Sequence, residues 1–176
     1  MSATTKPQPP VLSLYRRLAR RPFGRRLFSL AVSWKAPYFR SIGAVFVDLA
    51  PGRGEVAARN RWRVHNHIGT FHAIACCNLA ELAAGTTIEV SVPASHRWIP
   101  KGMTVSYLAK AETDLRAVAV VEDLTGLAAD ESREVVVPVD VIDTRGTTVV
   151  HADITMWVTP RRREAVVDAP AAGPRA

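Results

Sequence analysis

Apolar residues recur every three or four positions from Val11 to Trp34, then every second position from Ile42 onward. Val11, Leu14, Tyr15 and Leu18 share one side of a predicted helix, with Arg16, Arg17 and Arg20 elsewhere on it. Pro22 breaks that helix, and Phe23, Leu27, Leu30, Ala31 and Trp34 form a second stripe ending before Pro37. Two short helices packed on a larger domain by these stripes are the plain expectation. A helical lid or a membrane-surface anchor is the sharper one.

Residues 43–50 then read as a strand, Pro51-Gly52-Arg53-Gly54 as a turn, and 55–64 as the returning strand. On that strand Arg59, Arg61 and Arg63 share one face, and Trp62 and Val64 the other, with Asn66 in register on the buried side. Residues 71–84 form a helix, with Thr70 as N-cap and Gly85 as terminator. It is apolar around most of its circumference, so it must be buried on most sides. Residues 86–93 fit either a strand or more helix, and 94–100 a loop. Four strands follow, at 103–109, 115–121, 135–143 and 147–158. The last alternates Val150, Ala152, Ile154 and Met156 against His151, Asp153 and Thr155, and Pro138 marks the third as an edge or a bulge. Helices, two strands, a buried helix and more strands predict an α+β protein with an antiparallel sheet.

Composition narrows this little. A chain of 176 residues with 48% hydrophobic and 22% charged residues suits one folded domain. No apolar run in the sequence approaches the ~18–20 residues of a membrane span, and no secretory signal is legible. Cys76 and Cys77 are adjacent, which excludes an ordinary structural disulfide between them and suggests a reducing, cytoplasmic location. Charge adds more: the net charge is +7, and no Asp or Glu occurs before Asp48. A segment of that kind attracts phosphate, an acidic membrane surface, nucleic acid or an acidic protein face. Nucleic acid is the weakest of these partners, because aromatics are 7% of the chain and not interleaved with the basic run.

Candidate chemistry lies where the loop Asn66-His67-Ile68-Gly69-Thr70-Phe71-His72 enters the apolar helix. His72, Asn78 and Glu81 are the polar interruptions of that helix, and a carboxylate there must be paired or used. Glu81 can be a base or nucleophile, N–H groups at the helix start near Ala73 can polarise a carbonyl, and Asn66 can orient water. Each also has a structural alternative: a buried acid bonded to Asn66, a turn-forming asparagine, and a capping histidine. His65, His67 and His72 lack a companion carboxylate or cysteine at ligand spacing, so no metal site is expected. Nine helical residues turn the chain by about 900°, which sets His72 and Glu81 on opposite sides. One site containing both ends therefore needs two chains.

Asn-x-x-Gly-x-x-His followed nine residues later by an acid, with two strands before the helix and four after it, resembles the hotdog-fold thioesterases. The chain is most similar to the phenylacetate-pathway type of acyl-CoA thioesterase and a related uncharacterised hotdog family. The resemblance implies a curved antiparallel sheet wrapped around the helix at 41–159. Around it stand a helical extension at 11–40 and disordered tails at 1–10 and 160–176. It also implies a homodimer or dimer of dimers with sites at the interface, acyl-CoA as substrate and no other cofactor. By motif position Glu81 matches the catalytic acid, Asn66 the loop amide, and Gly69 and His72 the residues shaping the helix start. Ala73 supplies the oxyanion N–H, with Asn78, Arg97 and Lys101 as further substrate contacts. The chain departs from the pattern in having Ala73-Ile74 for the usual glycine pair, Glu for Asp, and Pro100-Lys101 where some members place Ser or Thr. Thr104 and Ser106 are weak substitutes. A non-catalytic acyl-CoA or lipid-binding module on the same fold is the alternative.

Overall fold

The computed structural model describes residues 9–161. The tails expected at 1–10 and 160–176 fall outside it except at their inner ends. There, Pro10 already opens a helix and Pro160 still closes a strand. Helix α1 spans Pro10–Ala19 and α2 spans Gly24–Lys35; a single 3-10 turn, η1, follows at Pro37–Ser41. Proline suits the first position of α1 because its missing N–H would be unpaired there anyway. Helix α1 packs largely by its predicted stripe, with Tyr15 buried and Val11 and Leu18 partly buried against the core, whereas α2 turns a different face to the body. Leu12 and Tyr15 are the buried residues of α1, while Leu14 faces solvent. In α2, Phe28, Ser29 and Ser33 face inward, and Phe23, Leu27, Leu30, Ala31 and Trp34 are exposed. The reason is local. Tyr15, Phe28 and Phe46 interlock edge-on, and the Ser29 hydroxyl accepts the Phe46 N–H at 3.0 Å. Small serines allow that approach.

Six antiparallel strands follow: β1 Val45–Ala50, β2 Arg53–Ala58, β3 His96–Tyr107, β4 Leu115–Val120, β5 Arg133–Asp143 and β6 Thr148–Pro160. They form one sheet in the order β1-β2-β4-β5-β6-β3, so β1 and β3 are its edges. Inward residues alternate with outward ones along β4, β5 and β6, as period two requires for a sheet with one covered face. The expected faces of β6 are those observed. Pro138 sits in an interior strand rather than at an edge, but one residue beyond the last β5 residue paired with β4, Val139, so locally that side is open.

The β1–β2 turn needs only Pro51 and Gly52, since Ala50 already pairs with Arg53. Strand β2 ends at Ala58, not at residue 64. The Asn60 N–H bonds the Asp114 carboxylate at 2.8 Å, and the chain leaves the sheet through a 3-10 turn, η2, at Trp62–Val64. Trp62 is 88% exposed, opposite to expectation, whereas Val64 is buried.

Helix α3, Ala73–Ser91, fills the concave side of the sheet. Its length and hydropathy would suit a membrane span, but most of it is core. It runs straight through Gly85. A Cβ there would stand 3.1 Å from the Trp98 ring, so this glycine is a notch for an aromatic side chain and not a terminator. Beyond it the Thr86, Thr87 and Ser91 hydroxyls are satisfied within the helix by donating to carbonyls one turn earlier. Of the loop expected at 94–100 only residues 94–95 turn; 96–100 are the first part of β3, kinked by a register shift between Pro100 and Gly102.

Candidate active site at the start and middle of the central helix

The loop before α3 is organised by Asn66. Its Oδ1 accepts the Ile68 and Thr70 N–H groups at 3.0 and 3.1 Å, and its Nδ2 donates to the Thr70 hydroxyl at 2.8 Å. Asn66 is thus a turn former in its own protomer, with one Nδ2 hydrogen left over, and it makes no bond to Glu81. Gly69 stands at φ +79, in the left-handed region, and its position in the turn is torsional. The N-cap is His72, not Thr70: His72 Nδ1 accepts the Ile74 N–H at 3.1 Å, so that nitrogen carries no proton. The Cys76 N–H goes to the His72 carbonyl. This leaves the Ala73 and Ala75 N–H groups of the first turn without a described partner, pointing along the positive end of the helix dipole.

Glu81 is half-buried and makes no hydrogen bond or ion pair among the described residues. It faces a cavity of about 430 Å³ between α3, β3 and the N-terminal helices. Val11, Val32, Phe39, Leu82, Trp98 and Met156 give that cavity an apolar lining, and α1, α2 and η1 form its roof. Trp98 is fixed there by donating its indole N–H to Glu89 at 2.7 Å. Asn78, one turn before Glu81, is buried and donates to the Ser41 hydroxyl at 3.1 Å. Ser41 spends its own proton on the Tyr38 carbonyl, which fixes the amide orientation and leaves Asn78 Oδ1 buried without a partner.

The remaining expected contacts lie elsewhere. Arg97 is exposed on β3. Lys101 is ion-paired with Glu134 and stands 5.4 Å from the Trp157 ring centroid. Within one protomer the structure therefore joins Asn66, Gly69, His72 and Ala73 at the helix start, Asn78 and Glu81 at its middle, and neither group to Arg97 or Lys101. From Ala73 to Glu81 is about 12 Å of helix axis. Cys76 is no nucleophile: burial pushes its thiol up to about 12. The Tyr107 hydroxyl, hydrogen-bonded to Cys77, also rises to about 12.

The sequence reading missed Trp98 and Glu89. Glu89 lies eight residues after Glu81, about 80° round the helix from it, but that signal depends on extending the helix through Gly85.

A six-stranded antiparallel sheet curled around one long central helix is the hotdog fold. Within it, the chain belongs to the family described as a domain of unknown function, DUF4442, whose model matches residues 24–158. Among solved structures it is similar to the structural-genomics protein APC5556, at 46% identity over 86% of this chain and 98% of that one, with a TM-score of 0.72. It also shares its fold with PA5026 of Pseudomonas aeruginosa, described as a probable thioesterase, at 23% identity, 73% and 91% coverage and a TM-score of 0.66. A third is a point mutant of the phenylacetic acid degradation protein PaaI from Thermus thermophilus, at 22% identity, 69% and 97% coverage and a TM-score of 0.58. No curated protein matches the chain.

Proposed function

We propose that this protein hydrolyses acyl-CoA thioesters at a site completed by a second copy of the chain. One observation carries the reading: the Glu81 carboxylate is unpaired in its protomer and faces an apolar cavity of about 430 Å³. That volume suits an acyl chain. Glu81 takes a proton from water as the water oxygen bonds to the thioester carbon. The Ala73 N–H of the other copy holds the oxyanion. Asn66 and Gly69 shape that helix start, and His72 caps it. The C–S bond then breaks, and the thiolate recovers the proton from Glu81. Coenzyme A enters as part of the substrate, and no other cofactor is required.

Two features support a shared site. Glu81 and the N–H groups of α3 do not meet within one chain, and β3 is a long open edge of the kind that pairs with another strand. Glu81→Gln should keep the fold and lower hydrolysis of an acyl-CoA panel at least ~100-fold, read as released thiol. Unchanged turnover sinks the mechanism. The side chain of Ile74, 55% exposed where the usual glycine pair would stand, favours the second reading, a non-catalytic acyl-CoA binder. Tight binding with no thiol release at any chain length would establish it.

The N-terminal helices add a partner to the proposal. Phe23, Leu27, Leu30 and Trp34 form an exposed row along α2 and its N-cap, with Trp34 82% exposed, and Arg21 and Arg26 line the same hollow as Phe23, Leu27 and Leu30. Large exposed apolar side chains beside guanidinium groups suit an anionic membrane surface.

A further inference from the structure

A second concavity, of about 530 Å³, opens where α2, β1, the end of β2 and β4 converge. Five arginines line it, Arg26, Arg59, Arg61, Arg63 and Arg116, against one acid, Asp114. Arg116 is committed to Glu55 at 3.1 Å, and Asp114 accepts the Asn60 N–H at 2.8 Å. Arg59, Arg61 and Arg63 have no ion pair or side-chain hydrogen bond among the described residues. Like-charged groups held close together repel one another, and a cleft lined by one sign focuses its potential on an incoming counter-charge.

The cleft is also shaped. The Arg63 guanidinium lies on Gly43, where a Cβ would come within 1.9 Å of Nη2, so that residue's missing side chain makes room for it. Arg26, Gly43, Val45 and Arg63 are a wall shared with an adjoining cavity of about 350 Å³, which adds Arg40. Two neighbouring basic hollows fit a ligand with two separated anionic groups. Planar guanidinium forks match phosphate oxygens two at a time. The turn that holds Arg63 also displays Trp62, an uncovered aromatic face of the kind a purine stacks on.

The turn joins this cleft to the candidate site. Val64, its last residue, accepts the His72 N–H at 2.7 Å, directly at the cap of α3. A ligand anchored at Arg63 is thereby one short turn from the free N–H groups of Ala73 and Ala75.

We propose that the cleft formed by Arg26, Arg59, Arg61 and Arg63 binds the phosphorylated purine-nucleotide end of a coenzyme A thioester. The inference rests on the thioesterase reading for its substrate but not for its binding chemistry. The nucleotide phosphates sit in the two hollows and the pantetheine arm runs past η2 to the start of α3. Lys101 on β3, held by Glu134 of β5, has no part in this contact.

The test uses the full-length protein and two probes. Adenosine 3′,5′-bisphosphate, which has the phosphates and base but no thioester, is titrated calorimetrically into wild type and into Arg59→Glu/Arg61→Glu. These side chains are exposed, so the fold should survive. Binding that weakens with salt in wild type, and at least ~10-fold in the variant, is expected. Acyl-CoA and acyl-pantetheine, the same thioester without nucleotide, are then compared as substrates. The variant should raise KM for acyl-CoA by about the same factor and leave acyl-pantetheine kinetics unchanged. Equal bisphosphate affinity in both proteins overturns the proposal, as does an equal loss with both substrates. If neither thioester is cleaved but the bisphosphate binds at the arginines, the cleft stands and the catalytic reading falls. If acyl-pantetheine is cleaved and the bisphosphate does not bind, the reverse holds.

Discussion

Phe28→Ala tests what fixes the roof over Glu81. Phe28 is 1% exposed and lies between Tyr15 and Phe46, with ring centroids at 5.1 and 4.9 Å and interplanar angles of 67° and 81°. Truncating a buried Phe costs about 3–5 kcal/mol. The two edge-on ring pairs account for about 1–3 of that, at about 0.5–1.5 each. Two hydrogen bonds work beside them: Tyr15 to the Val47 carbonyl at 3.2 Å, and the Phe46 N–H to Ser29. Such a loss approaches the whole stability of a marginal domain, about 5–15 kcal/mol. The sheet keeps its own core without Phe28, however, so α1 and α2 should lift locally before the body unfolds. Hydrogen exchange in native buffer should show amides of α2 losing protection while those of β5 keep theirs. Because Val32 and Phe39 roof the cavity, acyl-CoA KM should rise in the same variant. A stability change below about 1 kcal/mol, with unaltered α2 protection, would refute this account of how the extension is held.

The exposed row on α2 predicts co-sedimentation with phosphatidylglycerol vesicles at low salt and little with phosphatidylcholine, each basic residue near the surface adding about 1 kcal/mol. Leu30→Ser/Trp34→Ser should reduce it at least ~10-fold. Equal sedimentation of that variant, or a change from monomer to dimer hidden by these residues, would show that another surface or a second copy covers the row. His151 offers a pH test. Its pKa is raised above 6.5, first by the hydrogen bond to Asp140 at 2.7 Å and then by the charges of Asp140 and Asp153. A raised value in the folded state means stability fully present below the unfolded pKa and lost as pH climbs through the folded one. Wild type should therefore lose a little thermal midpoint between about pH 6 and pH 8, relative to His151→Gln. The effect is small because these side chains are 40–50% exposed and screened. A difference that grows with pH contradicts the assignment.

The architecture was legible where burial leaves a periodic trace. The apolar circumference of α3 implied a surrounding sheet, and the alternation of Val150, Ala152, Ile154 and Met156 gave β6 its inner face. Three features were not legible, each for a physical reason. A glycine that ends a helix and one that admits a ring are the same letter, so Gly85 hid the last turns of α3 and with them Glu89. Periodicity shows that α2 has an apolar stripe but not that the stripe is the buried one. Phe28, with Ser29 beside it, wins the interior because that serine can bond the Phe46 N–H. The alternation of Arg59, Arg61 and Arg63 matched a strand by coincidence of spacing. The Asn60 contacts to Asp114 and Glu112 that end β2 link residues more than fifty positions apart and leave no local signature.

Those corrections bear on the site. The loop from Ala58 to His72 is not a strand running into a helix. It is held by a series of bonds: Asn60 to the segment just before β4, Val64 to His72, and Asn66 to Thr70. A loop whose polar groups are paired within itself and with residues 111–114 can hold the α3 cap in place without help from the substrate. Glu81 is the reverse case, a carboxylate in the same helix with no internal bond. In the proposed mechanism, preorganised donors at one end and an uncommitted acid about 12 Å along the axis are two halves of one chemical unit. Within a rigid helix their separation cannot close. In the proposed dimer, a two-fold arrangement running a second α3 antiparallel beside the first would bring each acid to the other's cap. Were it also to cover the open edge of β3, the same contact that removes an exposed strand edge would assemble the chemistry.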